Sequence, residues 1–299
     1  MQKKRKRKRI KKPRPWYKRA PAVFTFGLLS FFVVFAFVHL SKRPQLDRPW
    51  IPYAETIPYA EREGDNITIH NFRDFRWESG PGLNIKEQNF LSKTVDLSKL
   101  EGVWFLKEDF SYYDGFAHTF LSFEFAGGDY VCISVEARRE IGEEYTGWQG
   151  LWRKYELMYI AGTEKDFIGR RLFVQDADVF LYPVLISEQN ARDLFVSMVE
   201  RMNKLREDPE FYNTLFSNCT NNLYQHAEWT TGIRIPIRWN TVLTGYSDRA
   251  GYQMGIIPND LPFFENRLRY KIDPDVTSLD DPNFSEKIRQ GKRLENHTP

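Results

Sequence analysis

The sequence predicts an α+β domain behind one N-terminal transmembrane helix, and three observations carry that expectation. Residues 22–40 (AVFTFGLLSFFVVFAFVHL) form an uncharged apolar run beside a basic head. Two β-branched and aromatic segments, 116–125 (FAHTFLSFEF) and 130–137 (YVCISVEA), flank Gly127-Gly128 and read as a hairpin. After Ser187, apolar residues recur at three and four positions from Ala191 to Leu205, as in a core-facing helix capped by that serine.

The apolar run is just long enough, at 1.5 Å per residue, to span a hydrocarbon core of about 30 Å. Residues 1–19 hold 12 Lys or Arg and no acid, which leaves 31 basic against 40 acidic residues in the rest of the chain. A basic head on an acidic body is a nucleic-acid arm or a topology signal, and the adjacent apolar run selects the second. The expected organisation is a cytoplasmic tail (1–19), an uncleaved anchor (20–40), a juxtamembrane linker (41–64), a catalytic domain (65–272) and a loosely held polar tail (273–299). Four prolines and the aromatics Trp50, Tyr53 and Tyr59 mark the linker as a stiff segment near the lipid surface. No nucleic-acid partner is expected.

The chain is 41% hydrophobic and 16% aromatic, too apolar for disorder and long enough for one full core. Two cysteines, Cys132 and Cys219, exclude a disulfide scaffold and a four-thiolate zinc site. The five histidines show no metal-binding spacing, so no metal or organic cofactor is expected.

Alternation places His118, Ser122 and Glu124 on one face of the first hairpin strand and Cys132, Ser134 and Glu136 on one face of the second. If these faces match, Glu136 lies beside His118; a one-residue change of loop would move it away. Further strands are expected at 166–174 (DFIGRRLFV) and 177–186 (ADVFLYPVLI). Ser217 or Asn218 reads as the N-cap of a helix that stops at Gly232, which puts Cys219 in its first turn. There the free N–H groups and the helix dipole favour a thiolate. A packed core thiol is the alternative for Cys219, an ordinary half-buried histidine is the alternative for His118, and a Cys132–Cys219 disulfide also stays open. His226, seven residues after Cys219 on the same helix, is too far along the axis for proton transfer and reads as a surface or supporting residue.

The order His then Cys, with Asn218 directly before Cys219, resembles the permuted papain-like enzymes of the lecithin:retinol acyltransferase type. A closer resemblance spans residues 65–258. NFRDF (71–75), AHTFLSFEF (117–125), SVEARRE (134–140), GLWRKYELMY (150–159), FLYPV (180–184) and FYNTLFSNCT (211–220) are similar to the N-terminal periplasmic domain of the Lnb lipoprotein N-acyltransferases. The resemblance implies a permuted papain-like domain with an antiparallel sheet and a nucleophile helix, on the periplasmic side of a bacterial inner membrane. It implies Cys219 as nucleophile, His118 as base and Glu136 as its partner, with Asn218, Ser134 and Arg138 supporting. The implied partners are a membrane phospholipid as acyl donor and a lipoprotein N-terminus or other amine as acceptor. Members of that family carry further membrane helices after the domain, whereas no apolar run follows residue 41 here, so the chemistry carries over more directly than the acceptor. A cysteine peptidase or amidase acting on cell-wall peptides and a non-catalytic binding domain are the competing classes.

Overall fold

A computed structural model describes residues 20–78, 84–110, 115–236 and 239–294. The basic head expected at 1–19 and the last five residues of the tail lie outside the described residues. The chain divides into two units, one through Arg43 and one from Pro44 onward.

The first unit is helix α1 (Ala20–Ser41). Val23, Phe24, Phe26, Phe32 and Phe37 stand exposed along it, and apolar residues occupy all of its sides. Among the described residues no helix is long and apolar enough to cross a membrane.

The second unit is α+β, built on a mostly antiparallel sheet. Its strands are β1 (Tyr59–Glu63), β2 (Asn66–Arg73), β3 (Arg76–Glu78), β4 (Asn84–Glu87), β5 (Phe90–Asp96), β6 (Leu100–Asp109), β7 (Ala117–Phe125), β8 (Asp129–Arg138), β9 (Glu156–Gly162) and β10 (Val179–Pro183). The large sheet runs β1-β2-β9-β8-β7-β6-β10, with β5 on β2, and among the described residues only β2 and β9 pair in parallel. The helices are α2 (Gly147–Gly150), α3 (Arg170–Phe173), α4 (Glu188–Glu207), α5 (Cys219–Thr231), α6 (Trp239–Val242), α7 (Ser247–Met254), α8 (Phe263–Tyr270) and α9 (Phe284–Lys287).

The central hairpin forms as its residues dictate. Gly127 and Gly128 take φ of 86° and 79°, a left-handed pair that costs glycine little and lets β7 turn directly into β8. Every residue of β7 is buried, because the sheet is covered on both faces. One face carries Leu121, Phe123, Ile133, Leu157 and Tyr159 into a core completed by α4 and α5. The other carries Phe120, Cys132, Met158 and Ile160 against Phe167, Ile168, Leu172, Phe284 and Ile288. Ser187 caps α4 by accepting from Asn190 N at 3.2 Å, as its position predicts.

Three expectations give way to tertiary packing. The strand predicted at 166–174 is a π-turn (Lys165–Gly169) that runs into α3. Asp166 decides this: fully buried, it accepts hydrogen bonds from Arg73 Nε and Nη2, Phe75 N and Trp77 Nε1 at 2.7–3.2 Å, and four donors on one carboxylate outweigh a modest β preference. The 41–64 stretch is integral to the domain, with Trp50, Ala54 and Ala60 buried and Tyr59–Glu63 paired to β2. Its aromatics have partners within the domain: Arg138 lies 4.0 Å over the Trp50 ring, and Tyr59 stacks on His70.

The tail is likewise held rather than loose. Phe284 and Ile288 are fully buried, and Arg289 pairs with buried Glu164 at 2.5 Å while Ser122 donates to the same carboxylate. Polar composition concealed this, since only two apolar side chains in the segment reach the core. Phe284→Ala should therefore lower domain stability by about 3–5 kcal/mol, read as a shift of the urea midpoint. A midpoint equal to wild type would mean that the tail is dispensable.

Candidate active site

β7 and α5 bring the predicted nucleophile and base together. Asn218 caps α5 by accepting from Asn221 N at 2.8 Å, and its own amide donates to Thr214 O at 2.8 Å. That double tether fixes Cys219 as the first helical residue, and Gly232, at φ 70°, ends the helix. The Thr119 and Thr220 hydroxyls, 2.9 Å apart, lock the helix start onto β7. Cys219 Sγ lies 4.0 Å from Ala117 O, next to His118 on the strand.

The hairpin register sets Phe120 opposite Ser134, and the same register continued brings His118 to Glu136. His118 Nε2 lies 2.8 Å from Ser134 Oγ and 3.2 Å from Glu136 Oε1. Ser134 in turn donates to Glu136 at 2.8 Å, so Nε2–H is the donor that completes the cluster. Glu136 also faces Arg171 at 3.8 Å, and Arg171 binds Glu108 at 2.5 Å.

This arrangement sets the charges. Burial opposes a charged His118, yet the Glu136 charge and hydrogen bonds with Cys219 and Glu136 raise its pKa to about 9. Burial likewise opposes ionisation of Glu136, but His118 and the neighbouring arginines hold its carboxyl well below the usual range. For Cys219, burial pushes the thiol up, and His118 more than offsets it, so the pKa falls below that of an ordinary thiol. The arrangement thus favours ionisation of the thiol beside an imidazolium anchored on a carboxylate.

Two cavities meet here. The smaller, about 280 Å³, contains Cys219, His118, Glu136 and Asn218. The larger, about 1050 Å³, is lined by Phe110, Phe116, Trp148, Leu151, Leu215 and Leu243. They share Glu108, Phe110, Phe116, Tyr145, Gln175, Thr214 and Thr244, so a largely apolar cavity adjoins the one that holds the thiol.

Not every expected residue belongs to this cluster. Arg138 points away, donating to Ala54 O and Glu55 O and so clamping the 50–55 segment to β8. His226 is buried, not on the surface. It bridges Tyr159 at 2.9 Å and Ser197 at 2.5 Å, and burial lowers its pKa to about 4, so it is a neutral structural link. Cys132 and Cys219 are both free thiols, and Cys132 is fully buried. Sequence reasoning missed Arg139, Arg170, Arg171 and Tyr145; the basic pair in DFIGRRLFV was the available signal, but it was read in a strand. Among the described residues no group of His, Cys, Asp and Glu is arranged to hold a metal ion.

Iodoacetamide should alkylate Cys219 with a midpoint below that of a free thiol, and Cys132, whose burial pushes its thiol far up, should stay unlabelled in the folded protein. His118→Ala should move the Cys219 midpoint upward, each unit of movement slowing labelling at fixed low pH about tenfold. An unmoved midpoint would remove His118 from the pair.

Comparison with known proteins adds a family. No curated protein and no solved structure matches the chain. The family model described as the Lnb N-terminal periplasmic domain matches residues 86–245, a stretch that contains His118, Ser134, Glu136 and Cys219. With more than half of the sequence inside that match, the chain belongs to the family of the Lnb N-terminal periplasmic domain.

Proposed function

We propose that this protein is a membrane-anchored, periplasmic cysteine acyltransferase that moves an acyl chain from phospholipid to an amine, through a thioester on Cys219. The observation that carries the reading is the Cys219–His118–Glu136 cluster in a small cavity that adjoins a largely apolar one of about 1050 Å³. A dyad alone suits peptidases and transferases equally. A roomy cavity whose surface is mostly apolar, with Phe110, Phe116, Trp148 and Leu243 in its lining and Glu108, Asp109, Asp176 and Asp178 among its polar residues, favours a hydrocarbon chain over a peptide.

In the first half-reaction the Cys219 thiolate attacks the ester carbonyl carbon of the donor. Backbone N–H groups in the first turn of α5 stabilise the oxyanion. The C–O bond then breaks, and His118 gives its proton to the departing alkoxide, which leaves as a lyso-lipid alcohol. In the second half the amine attacks the thioester, His118 takes the ammonium proton, and the thiolate departs as the amide forms. With Nε2 held by Ser134 and Glu136, Nδ1 is the ring nitrogen left to serve the thiol. Glu136 stabilises the imidazolium, and Ser134 fixes the ring's orientation. Strand-borne His118 preceding helix-borne Cys219 is the order of a permuted papain-like domain.

The anchor reading rests on α1. A helix apolar on every side belongs in a core or in lipid, and its large side chains stand exposed. Twelve basic residues precede it, so the N-terminus stays cytoplasmic and the domain faces the periplasm of a bacterial inner membrane. Protease added to spheroplasts should digest the domain, and full protection would reverse the orientation.

Intact mass spectrometry of the full chain in detergent tests the chemistry. Phospholipid alone should add one acyl group, Cys219→Ser should abolish the adduct, Cys132→Ser should keep it, and an amine-bearing lipopeptide should discharge it. No adduct together with cleavage of a muropeptide would replace transfer by amidase activity. The rate should rise as Cys219 ionises and fall as pH passes about 9, where His118 loses its proton. Glu136→Gln removes the largest influence that raises His118, so the upper limb should move to lower pH.

A further inference from the structure

The cavity around Cys219 holds more positive charge than its carboxylates balance. Its lining includes three arginines, Arg139, Arg170 and Arg171, and two carboxylates, Glu108 and Glu136. Arg171 is bound by Glu108 at 2.5 Å, and Glu136 by His118 at 3.2 Å. Among the described residues neither Arg139 nor Arg170 forms an ion pair. Arg139 reaches only the Tyr53 hydroxyl, and its guanidinium lies 5.6 Å over the Tyr53 ring.

Arg170 is the more telling of the two. Its side chain is only 9% exposed, its Nε is buried with no hydrogen-bond partner, and its guanidinium lies 5.0 Å over the Trp77 ring. Leaving a buried guanidinium N–H without an acceptor is costly, and the penalty is recovered when an anion accepts from it. Burial, together with the nearby Arg171 and Arg73 charges, lowers its pKa to about 10, and the Glu136 and Glu108 charges offset that only in part. A guanidinium fork matches the oxygens of a phosphate better than any other common anion-binding side chain.

We infer that Arg170 and Arg139 form a phosphate-ester subsite beside Cys219, which holds the phosphodiester of the donor lipid while its acyl chain lies in the adjoining apolar cavity. The inference rests on the acyl-transfer reading and adds to it the part of the donor that is recognised. A glycerophospholipid carries its phosphate a few bonds from the ester carbonyl, so one end of the cavity system takes charge and the other takes hydrocarbon. The amine acceptor, which bears no phosphate near its reacting nitrogen, gains nothing from these arginines. Their effect therefore falls on the first half-reaction alone.

The test compares two donors with the same short chains, dihexanoylphosphatidylglycerol and dihexanoylglycerol, by the rate at which the full chain in detergent gains an acyl group on Cys219. Wild type should prefer the phosphate-bearing donor, and Arg170→Gln should cut that preference about tenfold or more. Arg139→Gln, at a half-buried position that folding tolerates more readily, should cut it in the same direction, and Arg170→Lys should retain part of it because the charge stays while the fork is lost. Equal slowing with both donors in the glutamine variants, or no preference in wild type, would overturn the subsite and leave acyl transfer standing. If neither donor acylates Cys219, the acyl-transfer reading fails, and protection of Cys219 from iodoacetamide decides the subsite. Saturable protection by glycerol 3-phosphate that Arg170→Gln abolishes supports it; equal protection by inorganic phosphate assigns the arginines to free phosphate and overturns the headgroup assignment.

Discussion

The pairing of β7 with β8 is the constraint on which the site depends. With Phe120 opposite Ser134, the strand ends bring His118, Ser134 and Glu136 within hydrogen-bond reach of one another. A slip of one residue would turn Glu136 to the far face and leave the imidazole without its counter-charge. The Gly127-Gly128 turn sets the loop length, and burial of both faces of β7 punishes any other register, because each face presents a different apolar set to a different core. The geometry of the candidate site and hydrophobic packing therefore specify the same register.

Around that hairpin, buried charges fasten irregular segments to the sheet. Arg73 with Asp166 holds the π-turn, Arg171 with Glu108 holds α3, and Arg289 with Glu164 holds the C-terminal segment. Such pairs add little net stability against apolar replacements, but removing one partner leaves a buried charge. They act as registration pins. The segment with the most consequence is 165–173, since its two consecutive arginines divide the work: Arg171 neutralises Glu108 and steadies Glu136, while Arg170 is left to face the cavity.

Electrostatics at the thiol follow from that division. Glu136 is held ionised by His118 and the arginines, His118 is held charged by Glu136, and Cys219 is drawn toward thiolate by His118. Each step runs against burial and prevails because the next charge is within a few ångströms. Cys219 stands at the start of α5, and the largely apolar cavity adjoins the polar cluster.

Much of this was legible in the residues themselves. Gly127-Gly128, Ser187, Asn218 and Gly232 are local signals whose meaning does not depend on distant contacts, and the hairpin, α4 and α5 fall where they indicate. Alternation placed His118 and Glu136 each on the polar face of its own strand and left the register between the strands open. What the sequence could not decide were the features set by partners far along the chain. DFIGRRLFV reads as a strand until Arg73 and Trp77 converge on Asp166, and a proline-rich linker and a polar tail become parts of the domain once their few apolar side chains find the sheet. Arg138 and Arg139 are neighbours in sequence, yet one clamps the 50–55 segment and the other lines the cavity, because successive positions at a strand end leave in different directions and only the surrounding packing selects which one meets the site.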